Sequence, residues 1–380
     1  MTVDEIAALF SSFDRFRNDG LRPGNCRHAE VLATLERLAP GGGPLTVREI
    51  GSSLEGRSIR EVRFGSGPTS VLLWSQMHGD EPTATLALCD LFVFLVRCHP
   101  APAWLENILR RLTVSVVPML NPDGAERPHR CTAALIDMNR DAVALRTPEA
   151  RILREVHARL RPSFAFNLHD QSVSSVGRSR AVAALALLAP PPDEARTITP
   201  TRLAAMKLGA VLARALHPFA AGHLATYDDV YEPRAFGDLF QALGTPTLLI
   251  ESGQWPEDPD KDHVRLLNFT GLLCALSAIA EGTVDGADLA DYTSLPVNGR
   301  LMVDLIVRNV CLQAANGWTE MVGLALMRER ALGGVLVLKE VGDVELYGAL
   351  RTLDAEGALV PAERLKIDEP LNGSVLPGLS

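Results

Sequence analysis

Apolar positions recur along this chain with two periods. Residues 4–18 and 28–38 carry Ile, Leu, Val and Phe at helical spacing and predict two amphipathic helices. Gly41-Gly42-Gly43-Pro44 breaks that pattern. Residues 45–50 and 59–64 then read as short strands on either side of a turn at Gly56. Val71-Leu72-Leu73-Trp74 is a continuous apolar run of strand length, suited to a strand covered on both faces. Pro82 is placed to open a helix that runs to about Val96.

The alternation repeats. Residues 112–119 read as a buried strand that ends in the turn Asn121-Pro122-Asp123-Gly124. Residues 148–160 predict a helix capped by Thr147. Strands follow at 164–168 and 246–250, and helices at 201–215 and 262–280. Strands alternating with helices predict an α/β fold around a sheet that is at least partly parallel. Composition shifts around 282–296, and the runs 301–310, 334–341 and 344–350 beyond it read as strands between glycine-rich turns. The expected layout is a helical extension over 1–44, an α/β domain over 45–290 and a small β-rich domain over 291–380.

Composition narrows the function classes. The chain has 380 residues, of which 47% are hydrophobic. Lys and Arg number 37 against 46 Asp and Glu, a net charge of −9. A broad basic face for nucleic acid is therefore excluded. Six cysteines are scattered without a CxxC pair, which reads as reduced, mostly buried thiols. The opening MTVDEIAALF lacks a basic stretch followed by an apolar one, so no signal peptide is expected. No uncharged apolar run approaches the length of a membrane span. A cytoplasmic protein with no membrane partner is the expectation.

Candidate chemistry gathers after the predicted strands, where open α/β sheets bind their ligands. Past 71–74 stands His78-Gly79-Asp80-Glu81, past 164–168 stands His169-Asp170, and past 246–250 stands Glu251. Two histidines and two glutamates are thus delivered to one sheet edge. Two histidines with one glutamate form a known catalytic zinc set, and a second glutamate can serve as base on a bound water. Residues 121–141 add Arg130 and the run Asp137-Met138-Asn139-Arg140-Asp141. An Asn-Arg pair suits a carboxylate, because the guanidinium forks onto two oxygens. A separate arginine suits the oxyanion of a tetrahedral intermediate.

Taken in order, these pieces resemble the M14-type zinc metallocarboxypeptidases. The resembling segments are Ser53-Leu54-Glu55-Gly56-Arg57, His78-Gly79-Asp80-Glu81, Asn121-Pro122-Asp123-Gly124 with Arg130, Asp137-Met138-Asn139-Arg140, Asn167-Leu168-His169-Asp170-Gln171 and Leu249-Ile250-Glu251-Ser252-Gly253. They span roughly 45 to 280. The resemblance implies a three-layer α/β/α fold with a mixed, largely parallel central sheet, plus the small C-terminal β-rich domain. It implies one zinc ion per chain held by His78, Glu81 and His169. It further implies Glu251 as general base, Arg130 as oxyanion donor, and Asn139 and Arg140 as grips for the substrate's terminal carboxylate. Asp137 would fix the tautomer of a zinc histidine.

The 88-residue gap from Glu81 to His169 is similar to that of the compact bacterial branch, which includes murein-peptide amidases. Tyr227 and Tyr231 both fall where the family's site tyrosine is expected, and Arg127 competes with Arg130 for its role. Residues 227–234 should line the leaving-residue pocket, where Arg234 would favour an acidic group and Asp228 or Asp229 a basic one. The activity implied is hydrolysis of a peptide or amide bond beside a free carboxylate. The alternatives are an N-acyl amino acid deacylase of the desuccinylase-aspartoacylase type, or a catalytically silent binding protein.

Overall fold

The computed structural model describes residues 1–329 and 334–371. The parts of the expected C-terminal domain at 330–333 and 372–380 lie outside the described residues. Through residue 252 the strands are β1 (Thr46–Ser52), β2 (Ser58–Phe64), β3 (Thr69–Ser75), β4 (Leu112–Val117), β5 (Phe164–Asp170), β6 (Ser175–Val176), β7 (Leu185–Leu188), β8 (Leu224–Thr226) and β9 (Thr247–Ser252). All but β6 join one sheet in the order β1-β2-β4-β3-β5-β9-β7-β8. The neighbours β4, β3, β5 and β9 run parallel. Strands β1, β2 and β7 pair antiparallel to their inner neighbours, so the sheet is mixed with a parallel centre.

The helices are α1 (Val3–Ser11), α2 (His28–Leu38), α3 (Thr83–Arg97), α4 (Ala103–Arg111), α5 (Pro122–Glu126), α6 (Pro148–Leu160), α7 (Pro200–Ala220), α8 (Phe236–Ala242), α9 (Asp262–Glu281) and α10 (Ala290–Thr293). The run at 71–74 shows why the helices form two layers. Val71 and Leu73 pack into the core shared with α3, α4, α7 and α9, while Leu72 and Trp74 pack with Ile152, Phe236 and Phe240 of α6 and α8. Side chains alternate along a strand, so a strand apolar at every position is buried on both faces. Each such aliphatic side chain contributes roughly 1.5–3 kcal/mol by burial. Helix α9 is long and apolar enough to cross a membrane by length and composition, and here it is a buried core helix.

The N-terminal segment is part of this core. Leu9, Phe13, Phe16, Leu21, Val31 and Leu35 join the α3–α9 layer. A buried ion pair ties it down. Arg265 of α9 bonds both oxygens of Asp90 on α3 at 2.5 Å, and also reaches the Leu21 and Asn18 carbonyls at 3.1 Å. The predicted helix over 4–18 stops at Ser11. Ser12 donates its hydroxyl to the Leu9 carbonyl at 3.0 Å, a local bond that competes with helix continuation.

Beyond α10, β10 (Asn298–Gly299) pairs with β6, and β11 (Met302–Gln313), β12 (Thr319–Glu329), β13 (Val335–Gly342), β14 (Gly348–Asp354) and β15 (Leu359–Pro361) build a second sheet. Its core contains Leu305, Val307, Val310, Leu324, Leu326, Leu338 and Val360. The strand expected over 344–350 begins only at Gly348, because Asp343 caps a turn through its bond from the Glu345 amide.

Two outcomes test this packing. Arg265→Met leaves Asp90 buried without its partner and should cost about 3–5 kcal/mol in urea unfolding. His157 stacks on Phe240 and bonds Thr245, and burial drives its pKa down to about 4 from 6.5. The unfolded chain then binds more protons between those values, so this group's stabilisation is lost as pH falls through that window. Relative to His157→Gln, the wild type should lose about 1–2 kcal/mol between pH 7 and pH 5, read from urea midpoints.

Candidate metal centre and substrate site

Strand order brings the candidate residues together. The carboxyl ends of the parallel strands β3, β5 and β9 share one edge, and His169 lies directly opposite Glu251 in the β5–β9 register. His78 follows β3 in a turn closed by the Glu81 amide on the His78 carbonyl at 3.2 Å. That turn puts residues three apart side by side just before α3.

A second loop holds the turn in place. Gly79 packs flat on the start of α5, and a Cβ added there would lie 1.9 Å from the Gly124 carbonyl carbon. The Gly79 amide bonds the His129 carbonyl, and Asn121 caps α5 while donating to the Met77 carbonyl. Buried Asp123 then gathers Ser53 Oγ at 2.7 Å, the Glu55 amide at 3.0 Å and Arg57 at 2.7 Å. The Ser53–Arg57 and Asn121–Gly124 motifs are thus two halves of one structural lock.

The cluster itself is compact. His78 Nδ1 lies 2.9 Å from one Glu81 oxygen and His169 Nδ1 lies 2.7 Å from the other. The donor atoms of His78, Glu81 and His169 all fall within 4.8 Å of one another, and all three residues are buried. Asp137 Oδ1 is 3.1 Å from His78 Nε2 and accepts its proton, which leaves Nδ1 turned to the cluster. Arg130 bonds the other Asp137 oxygen at 3.0 Å and stands 3.6 Å from Glu81.

Electrostatics make this a place for positive charge. Burial opposes the charged form of His78, yet Glu81 and Asp137 lift its pKa to about 9. Burial works against ionised Glu81 as well, and the two imidazoles hold it well below the usual carboxylate range. Burial lowers His169. Two carboxylates thus surround two imidazole nitrogens out of water. The set fits a zinc ion, whose catalytic sites use such donors and displace the ligand proton on binding.

The other expected residues divide. Tyr227 is pushed up to about 12, first by the Glu251 carboxylate and then by burial, so it stands beside the cluster. Tyr231 makes no hydrogen bond or ring contact among the described residues. Arg127 is spent on Glu55, with contacts of 2.6 and 2.8 Å, while Arg130 reaches the cluster. Asn139 gives its side-chain oxygen to the Phe236 amide at 3.0 Å.

Arg140 is already paired. Its Nε bonds Glu232 at 3.0 Å, and Glu232 is also gripped by Arg234 at 2.8 and 2.7 Å. Asp229 is taken by Arg196 and Arg202. The charges of 228–234 are therefore largely consumed by internal ion pairs. Glu232 lies in the 227–234 segment expected to line the pocket, but its pairing with Arg140, 92 residues away, had no signal in the sequence.

Comparison with known proteins finds likeness to carboxypeptidases in sequence and in fold. Residues 32–168 match the family model described as zinc carboxypeptidase. Carboxypeptidase 2 of Trichophyton rubrum is 27% identical over 158 residues, 39% of this chain and 29% of that protein. The matches span only 21% to 30% of the length of such curated relatives. A metallo-carboxypeptidase from Burkholderia cenocepacia superposes with a TM-score of 0.52 at 17% identity, covering 67% of this chain and 68% of that one. One from Pseudomonas aeruginosa, in complex with (2-guanidinoethylmercapto)succinic acid, gives 0.51 at 18% identity, covering 67% and 68%.

Residues 32–168 are thus similar to the zinc carboxypeptidases in sequence, and the α/β unit shares their fold. The family match includes His78 and Glu81 and ends at residue 168, one residue before His169.

Because Asp137 orients His78, its removal should loosen the centre without unfolding it. Asp137→Ala is expected to lower zinc affinity about 10–100-fold in competition with a chromophoric chelator.

Proposed function

We propose that this chain is a zinc-dependent metallocarboxypeptidase, which hydrolyses a peptide or amide bond beside a free carboxylate. One observation carries the reading. A buried set of two histidines and a glutamate shares a sheet edge with Glu251, and Asp137 joins it to the Asn139–Arg140 pair. Asp137 accepts both from His78 and from the Asn139 amide at 2.9 Å.

His78, Glu81 and His169 would hold the zinc ion, which supplies a Lewis acid and makes bound water acidic enough to react near neutral pH. Glu251 takes a proton from the attacking water and returns it to the leaving amine. Arg130, braced by Asp137, stabilises the oxyanion. Asn139 and Arg140 receive the terminal carboxylate, which exchanges with Glu232 on the Arg140 guanidinium. Tyr227 keeps its hydroxyl proton and can donate it to substrate.

The reading is tested by separating metal from turnover. Glu251→Gln should retain the zinc content of the wild type while losing about 10²–10⁴-fold in rate. Native-rate hydrolysis by that variant, or equal hydrolysis of free-acid and C-terminally amidated peptides, would overturn it.

A further inference from the structure

The guanidinium of Arg140 already carries a carboxylate of the chain itself. Its Nε donates to Glu232 Oε2 at 3.0 Å, and its Nη1 donates to the Asn139 carbonyl at 2.8 Å. A carboxylate binds a guanidinium best as a fork, two oxygens on two nitrogens. A substrate carboxylate that forks onto the Nε side must therefore take the place of Glu232. The exchange happens within reach of solvent, since the Arg140 side chain is 41% exposed and that of Glu232 is half-buried.

Glu232 has somewhere to go. Arg234 grips both of its oxygens, Nε on Oε1 at 2.8 Å and Nη2 on Oε2 at 2.7 Å, and the Arg234 amide adds a third bond to Oε1 at 3.1 Å. Arg234 holds the Glu232 pKa down to about 2 against the opposing effect of burial, and Arg140 adds to this. Glu232 thus stays a carboxylate, and it keeps a forked partner when Arg140 is taken from it.

The backbone around the pair is fixed. The Glu232 amide donates to buried Asp238 at 3.1 Å, and the Glu232 carbonyl accepts from the Ala235 amide at 2.9 Å. The Arg234 carbonyl accepts from the Ala142 amide at 3.0 Å, and Asn139 Oδ1 from the Phe236 amide at 3.0 Å. Segments 139–142 and 232–236 are thereby zipped together, and the exchange needs only side-chain rotation.

We propose that Glu232 is a resident competitor for the carboxylate seat on Arg140, that Arg234 is the partner it retains when displaced, and that together they weaken the hold on ligands bound through a carboxylate alone. The proposal deepens the reading of Asn139 and Arg140 as the carboxylate grip and rests on it. A simple carboxylate, or the amino acid released by cleavage, gains little by replacing one carboxylate with another. An intact substrate also presents its scissile carbonyl to the metal cluster and has that further contact to set against the exchange. Glu232 therefore favours substrate over product and speeds clearance of the seat after each turnover. Without Arg234, Glu232 would have Arg140 as its sole guanidinium and would hold it more firmly.

The test uses full-length zinc-loaded protein and needs no turnover. Sodium propanoate is titrated at constant ionic strength, with propanamide as the uncharged control, and the Arg140 Nε–H resonance is followed by NMR. Partly exposed ion pairs are worth little, so the expected shifts in affinity are modest. Glu232→Gln should bind propanoate about 2–5-fold more tightly than the wild type, and Glu232→Asp, which keeps the charge but loses reach, should lie between them. Arg234→Ala should bind about 2–5-fold more weakly. In the Glu232→Gln background Arg234→Ala should have no effect, because its action runs through Glu232. With a free-acid peptide as substrate, Glu232→Gln should lower both KM and the inhibition constant of the released amino acid.

Unchanged or weaker propanoate binding in Glu232→Gln overturns the proposal, as does a fall in its urea unfolding midpoint with no change in affinity, the mark of a purely structural pair. An equal effect of Arg234→Ala with and without Glu232 also overturns it. No shift at Arg140 in any variant removes the grip and the proposal together. Peptide hydrolysis with a KM indifferent to Glu232→Gln rejects the competitor and leaves the peptidase standing. The expected titrations without hydrolysis of any peptide support the competitor and reject the peptidase.

Discussion

The parallel pairing of β3, β5 and β9 is the constraint on which everything else rests. Parallel neighbours end on the same edge of a sheet, so residues that follow them meet however far apart they are in the chain. His78, His169 and Glu251 are brought to one place this way, across 173 positions of sequence. Antiparallel pairing of any one of them would send its terminal residues to the opposite edge. The flanking strands β1, β2 and β7 are free to run antiparallel because they deliver none of these groups.

Carboxylates then do the local work. Asp123 locks the loop after β4 onto the β1–β2 turn, Asp137 braces both His78 and Arg130, and Asp90 with Arg265 clamps the N-terminal segment. Buried carboxylates are costly unless fully hydrogen-bonded, and Asp123 and Asp137 meet several donors each. Glu81 differs, since its partners are the two imidazoles that would share a metal with it. The Arg140–Glu232–Arg234 chain is a fourth device. It keeps a guanidinium satisfied and positively biased where a substrate carboxylate is expected to dock.

Much of the α/β unit was legible in the residue pattern. The helix at 148–160 with its Thr147 cap appears as read, because cap, first-turn proline and apolar spacing all agree. The runs at 71–74 and 164–168 are central strands for the reason their composition suggests. Other elements were not legible. Helices α4 and α8 are short and lean on tertiary packing, and β7 is four residues inside a longer apolar run. Strand β12 was missed, although Leu324 and Leu326 face one small core and Ala325 another, as in a strand covered on both faces. The choice between Tyr227 and Tyr231, or Arg127 and Arg130, could not be read either. Both members of each pair occupy suitable positions, and only the packing shows which one turns inward.

By itself the sequence determined the alternation of strands and helices, the motif order and the kinds of donor at each strand end. Those are local properties, set by side-chain chemistry and by spacing along the backbone. Only the tertiary structure decided which charges are already spent on each other, that Glu232 rests on Arg140, and that Arg130 rather than Arg127 reaches the cluster. Those outcomes depend on distances between residues far apart in the chain, and they are fixed only when the layers pack.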